Sequence, residues 1–215
     1  MSEEKLLEDK WIGDFKSFFK DQEKRFITKL KDHKKSAIGD LGIDVEDELQ
    51  ATITIIDPLI YATVMQGIKQ ASDLLQQPYI ADLDFLKAWI AKVSEEIGTV
   101  INNTTIDAFN SSLTIGLESG EGIADLTKRV SEVFDFATDT RATMIARTET
   151  ARGIAEAHRQ TYDYYGYEHV DWLTYDACDE CISKSLQKWT VDTIAGEIPV
   201  HPNCKCDFVP SVNNQ

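Results

Sequence analysis

A mainly α-helical chain, elongated through its N-terminal and central parts and ending in a small α+β zinc-binding module, is the fold class this sequence predicts. Three observations lead to it. Apolar residues recur at three- and four-residue steps over most of residues 3–165. No proline lies between Pro78 and Pro199, so nothing of that kind interrupts a helix there. All four cysteines fall within "DACDECISKS" (176–185) and "HPNCKC" (201–206).

The first helix is expected from Glu3 to about Lys35. Leu6, Leu7, Trp11, Phe15, Phe18, Phe19, Phe26, Ile27 and Leu30 form one stripe along it. Its other face is basic from Lys16 to Lys35, with eight cations against three anions. That face reads as a solvated surface or as a strip for weak, sequence-independent contact with DNA phosphates. "IGDLGID" (38–44) reads as a turn. A second helix is expected from about Val45, and Asp57-Pro58 suggests a fresh start there, with an N-cap and a first-turn proline. "QQPY" (76–79) should break it.

Further helices are expected at about Asp82–Ile101, Thr105–Glu118, Ile123–Phe136 and Asp139–Tyr165. "LESGEG" (117–122) and Gly166 supply stops. The texture then changes. "YEHVDWLTYD" (167–176) alternates, placing Val170, Trp172 and Thr174 on one side of a strand. "GEIPVHPNCKCDFVP" (196–210) is again strand-like. These breaks divide the chain into residues 1–80, residues 81–166 and a module at 167–215.

The formal charge is −15, which opposes general binding to nucleic acid or anionic membrane. No apolar run in the sequence approaches the length of a membrane span. The charged N-terminus lacks the apolar core of a signal peptide. A reducing cytoplasmic compartment is therefore expected, where clustered cysteines point to metal rather than disulfides.

Cys178-x2-Cys181 and His201-x2-Cys204 have the spacing of a structural zinc site. A two-residue gap lets both side chains of one tight turn face a single ion, and two such turns complete a tetrahedron. The expected ligands are Cys178, Cys181, His201 and Cys204, with Cys206 the alternative to His201. Free thiols or disulfides are the competing reading. The zinc deaminase pattern is absent. Phe15, Phe18, Phe19 and Phe26 serve either as anchors for a partner or as core against residues 45–76.

"MIARTETARGIAEAHRQTYDYYGYEHVDWLTYDACDECISK" followed by "IPVHPNCKC" resembles the phage head morphogenesis family typified by the Mu F-like minor head proteins. The resemblance runs from about Leu83 to Pro210. It implies a minor capsid protein located inside the head near the portal, acting in procapsid assembly, DNA packaging or DNA delivery. The implied partners are the portal and capsid or scaffold proteins, met in the host cytoplasm during assembly. It also implies no catalytic activity. Some relatives carry an added toxin domain, and the chain ends nine residues after Cys206. Lys205 stands where arginine is common between the last cysteines.

Arg147, Glu149 and Arg152 invite a catalytic reading, as in ADP-ribosylating enzymes. The simpler expectation is an i,i+3 pair of Glu149 and Arg152 on the surface, with Arg147 bracing the zinc tail. His33, His158 and His169 lack partners at ligand spacing. Two functions from different classes follow: a non-enzymatic internal head protein, or a zinc-dependent nuclease or transferase-type phage effector. A closed Cys/His shell favours the first, and Asp176 or His169 within reach of the metal favours the second.

Overall fold

The computed structural model describes residues 2–32, 42–78 and 83–211, with side chains from residue 86 in the last stretch. Among these residues the chain is mainly helical, with one small sheet. Helix α1 spans Glu3–Asp32, α2 Val45–Leu75, α3 Leu83–Glu118 and α4 Ile123–Phe136. A π-helical turn, Ala137–Arg141, leads into α5, Ala142–Tyr164. Strand β1 (His169–Leu173), helix α6 (Asp179–Ser185) and strands β2 (Trp189–Thr190) and β3 (Asp207–Pro210) follow. The antiparallel sheet has the order β2-β1-β3, with Trp172 opposite Phe208. Val170 and Trp172 are buried in β1, whereas Thr174 is exposed beyond its end.

Several expected breaks are absent. α2 runs through Pro58 without restarting; its N-cap is Asp44, whose Oδ1 accepts from the Glu46 and Asp47 N–H groups. Buried Ile56, Leu59 and Ile60 around Pro58 hold the helix together against its local preference. α3 likewise continues through "INNTT". Asn102 Nδ2 donates to the Val45 carbonyl at 3.1 Å, and Thr105 Oγ1 to the Ile101 carbonyl at 2.9 Å. Partners for these side chains remove the reason for the segment to leave the helix. The π turn joins α4 to α5 where a gap was expected, through the Ala142 N–H to Ala137 carbonyl bond. Gly120 and Gly166 end their helices at φ 70° and 75°. His33, Lys34, Lys35, most of the 38–44 turn, Tyr79 and the start at Asp82 lie outside the described residues.

The contacts divide the chain into two compact units. One comprises residues 12–57 and 91–142. Its core holds Phe15, Phe18, Phe19 and Phe26 of α1, all buried, with the Phe26 ring 4.7 Å from Phe109 and 5.4 Å from Phe134. These phenylalanines are therefore core and not anchors for a partner. Arg25 grips the buried carboxylate of Glu48 at 2.6 and 2.8 Å, and Lys24 pairs with Asp21. Much of the expected basic strip is thus engaged within the chain. Arg141 is buried with the Thr105 hydroxyl and Ile101 carbonyl as acceptors, and burial lowers its pKa.

The other unit comprises residues 1–11, 58–90 and 143–215. In it α2 and α5 cross at glycines. A Cβ on Gly67 would lie 2.7 Å from that of Ala157, and one on Gly153 2.7 Å from Thr63 Cγ2. Trp11 Nε1 donates to Thr63 Oγ1 at 3.1 Å. The sheet residues Val170, Trp172, Trp189 and Phe208 share one core cluster with Ala71 of α2 and with Ala155 and Tyr162 of α5. By length and composition α2 could cross a bilayer, contrary to the sequence expectation. Its apolar side chains include Ile56, Leu59, Ile60, Val64 and Ala71, all buried within the protein, as in a core helix.

Candidate metal centre

Two tight turns carry the donors. Cys178 caps α6, and the Ile182 N–H returns to its carbonyl at 3.0 Å, which brings Cys181 round to the same side. In the second turn the Cys204 N–H reaches the His201 carbonyl at 3.1 Å, with Asn203 at φ 62°. Asp176, at φ 50°, precedes the first turn and pairs with Lys205 of the second at 3.1 Å. Lys205 also lies over the Tyr175 ring. The Asn203 N–H donates to Thr148 Oγ1 of α5 at 3.0 Å. Thr148 is thus an α5 residue that ties down the second turn.

The donors form two groups of three that share Cys181: Cys178, Cys181 and His201, and Cys181, Cys204 and Cys206. His201 Nε2 lies 3.2 Å from both Cys178 Sγ and Cys181 Sγ, and Cys181 Sγ lies 4.0 Å from Cys204 Sγ. Tetrahedral zinc with bonds of about 2.0–2.3 Å sets its ligand atoms about 3.5–3.8 Å apart. Each group of three comes near that spacing, and the expected four, Cys178, Cys181, His201 and Cys204, span both groups. His201 Nδ1–H donates to the Pro202 carbonyl at 2.9 Å, which turns Nε2 toward the sulfurs. A metal-ligating histidine is commonly oriented in this way.

The electrostatics prepare some of these atoms to bind metal. The Cys181 and Glu180 backbone groups hold the Cys178 thiol below its ordinary pKa. Burial pushes Cys181 up. Burial also opposes ionisation of Cys204, but hydrogen bonds from the Cys206 and Val200 backbone leave it lowered. Burial raises Cys206, and the Trp172 indole N–H acts against that rise. The Pro202 carbonyl raises His201.

Neither donor group contains a carboxylate or His169. The Glu149–Arg152 pair forms at 2.7 Å as the spacing suggested, but Glu149 is buried and desolvation raises its pKa. His158 is buried too. Its Nδ1 lies 2.9 Å from Asp207 Oδ1, a link from α5 to β3 that no local motif announces. A pocket of about 870 Å³ opens beside Cys204 and Cys206, with half-buried Arg147 in its wall.

No curated protein and no solved structure was found to match the chain. A family model described as phage Mu protein F like protein matches residues 107–209, from within α3 to within β3. The resemblance seen from Leu83 is thus confined to a shorter stretch, which still contains all five donors. Residues 107–209 thus form a phage Mu protein F-like domain.

Proposed function

We propose that the chain is a non-enzymatic minor capsid protein of a tailed double-stranded DNA phage or prophage. It acts inside the head near the portal, in procapsid assembly, DNA packaging or DNA delivery. The Mu F-like match over residues 107–209 carries this reading. In it, residues 1–80 attach to the portal or capsid, residues 81–166 form the helical part of the domain, and residues 167–215 form a zinc module.

Zinc would be held by Cys178, Cys181, His201 and Cys204, with Cys206 as the alternative fourth donor. Bound there, the ion supplies a cross-link between two turns that are more than twenty residues apart in sequence. Asp176–Lys205 and Asn203–Thr148 orient those turns. A donor set made only of Cys and His supports a structural ion, since catalytic zinc keeps an open position with a base nearby. The pocket beside Cys204 and Cys206 supports the nuclease or transferase alternative.

DNA contact through Lys16–Lys35 is proposed only as a weak, salt-sensitive effect. Of its described cations, Lys20 and Lys31 have no ion pair or hydrogen bond to another described residue. Co-expression with the neighbouring portal protein tests the main reading. Co-elution, together with defective heads when this protein is omitted, is expected. Heads of normal composition, DNA content and infectivity without it would overturn the proposal.

A further inference from the structure

The pocket of about 870 Å³ lies wholly within the unit made of residues 1–11, 58–90 and 143–215. α1 contributes Glu4, Lys5 and Glu8 to its lining, α5 contributes Arg147, and the turn leading into β3 contributes Lys205 and Asp207. Most of these charges are matched. Lys5 pairs with Glu8 and Asp9, Lys205 with Asp176, and Asp207 with His158. Two are not. The half-buried Arg147 side chain makes no hydrogen bond or ion pair with another described residue, whereas each of the other arginines makes at least one. The Glu4 carboxylate likewise has no hydrogen bond or ion pair among the described residues. Burial and the Glu8 carboxylate push its pKa up, as expected of a carboxylate short of a cation. A guanidinium and a carboxylate lining one pocket would pair if nothing were meant to come between them. These two do not meet, so a ligand that supplies both missing charges gains two charge-assisted contacts at once.

We propose that this pocket binds a segment of another polypeptide, whose acidic side chain pairs with Arg147 and whose basic side chain pairs with Glu4. The guanidinium fork of Arg147 matches a carboxylate. The carboxylates of Glu4, Glu8 and Asp207 in the same lining oppose a polyphosphate or a nucleic acid. Leu173 and Tyr175, both exposed, add apolar and aromatic area beside the charges, a combination that suits side chains of a polypeptide. The volume is that of a ligand larger than a single ion, and a short peptide segment fits it. Such binding requires neither a metal ion nor a place in the phage head, so it goes beyond that reading and holds or fails independently of it.

Selection of terminally blocked random heptapeptides on the full-length protein tests this, with the affinity of each selected peptide measured by fluorescence anisotropy. The selected peptides should carry an acidic and a basic residue at a fixed separation. Arg147→Gln and Glu4→Gln should each weaken their binding by about tenfold or more, because each leaves one charge of the peptide unpaired. Arg147→Lys should recover part of the loss. Selection repeated on Glu4→Lys should drop the basic residue and enrich a second acidic one, an exchange of preference that a disturbed fold would not produce. Melting temperatures close to that of the wild type show that the variants are folded when binding is read. Failure to select any peptide above background overturns the proposal. So do selected peptides that lack either charge, or that bind both glutamine variants as tightly as the wild type. ATP binding that displaces the peptides, is lost in Arg147→Gln and is strengthened in Glu4→Gln would assign the pocket to phosphate ligands and overturn it too. Normal heads without this protein, with peptide binding intact, would overturn the capsid reading and leave the pocket's role standing.

Discussion

Gly67 and Gly153 show how much a single side chain matters here. A Cβ on Gly67 would stand 2.9 Å from the Ile154 Cα and 3.0 Å from the Ile154 carbonyl oxygen. These are backbone atoms of α5, which cannot swing aside as a flexible side chain can. Gly67→Ala should therefore lower stability by about 1–3 kcal/mol through overpacking, despite its better helix propensity. Chemical denaturation measures this, and a stabilised variant would show that α2 and α5 can separate without cost. Glu149 gives a prediction in pH. Burial raises its folded-state pKa above the unfolded value. A carboxyl shifted in that direction stabilises the fold below its unfolded pKa, and that contribution is lost as pH rises through the folded value. Glu149→Gln should therefore raise the melting temperature at pH 7, well above the unfolded pKa, and the gain should shrink toward pH 4. A gain that is constant with pH, or a loss at pH 7, would show that the Arg152 pair outweighs desolvation.

Helix α2 carries the clearest element-scale test. Pro58 in its interior removes one backbone donor, so the Thr54 carbonyl lacks its usual partner. An interior proline costs about 3 kcal/mol, and the freedom it removes from the unfolded chain returns about 1. Pro58→Ala should thus stabilise the protein by about 2 kcal/mol, or roughly 4–8 °C for a chain of this size. An unchanged melting temperature would mean that packing around Ile56, Leu59 and Ile60 depends on the proline ring. This helix also shows where the sequence could be read and where it could not. The apolar stripes of α1 and α4 located those helices within a few residues, because period 3.6 is a local property. Pro58, "INNTT" and residues 137–141 suggested breaks for equally local reasons. The chain overrides them by burying apolar neighbours or by supplying distant partners, such as the Val45 carbonyl for Asn102. The Cys/His cluster was legible because the spacing of candidate ligands is also local. The bonds that hold their turns, Thr148 with Asn203 and His158 with Asp207, link residues 55 and 49 positions apart, and no short pattern records them.

At the scale of the molecule, the core beside the two Cys/His turns is built mostly from residues 170–208 but takes in α2 and α5 as well. Trp172, Trp189, Ile194, Ile198 and Phe208 bury themselves in the same cluster as Ala71, Ala155 and Tyr162. A metal that crosslinked the two turns would therefore steady a core to which α2 and α5 also contribute. The phenylalanine core of residues 12–57 and 91–142 lies in the other compact unit and includes none of these residues. Metal removal should consequently act on one unit before the other. With a strong chelator, amide exchange should accelerate first across residues 168–210. It should then spread to the parts of α2 and α5 that face this core, while amides around Phe26, Phe109 and Phe134 stay protected. The melting temperature should fall, because an ion bound only by the folded state adds its binding free energy to stability. Cys178→Ser should reproduce the chelator's pattern without any chelator, which separates loss of metal from an effect of the reagent. Exchange that rises equally in both units would mean that the chain unfolds as one cooperative body. Exchange unaffected by the chelator would mean that packing around Trp172 and Phe208 holds the two turns without a metal crosslink.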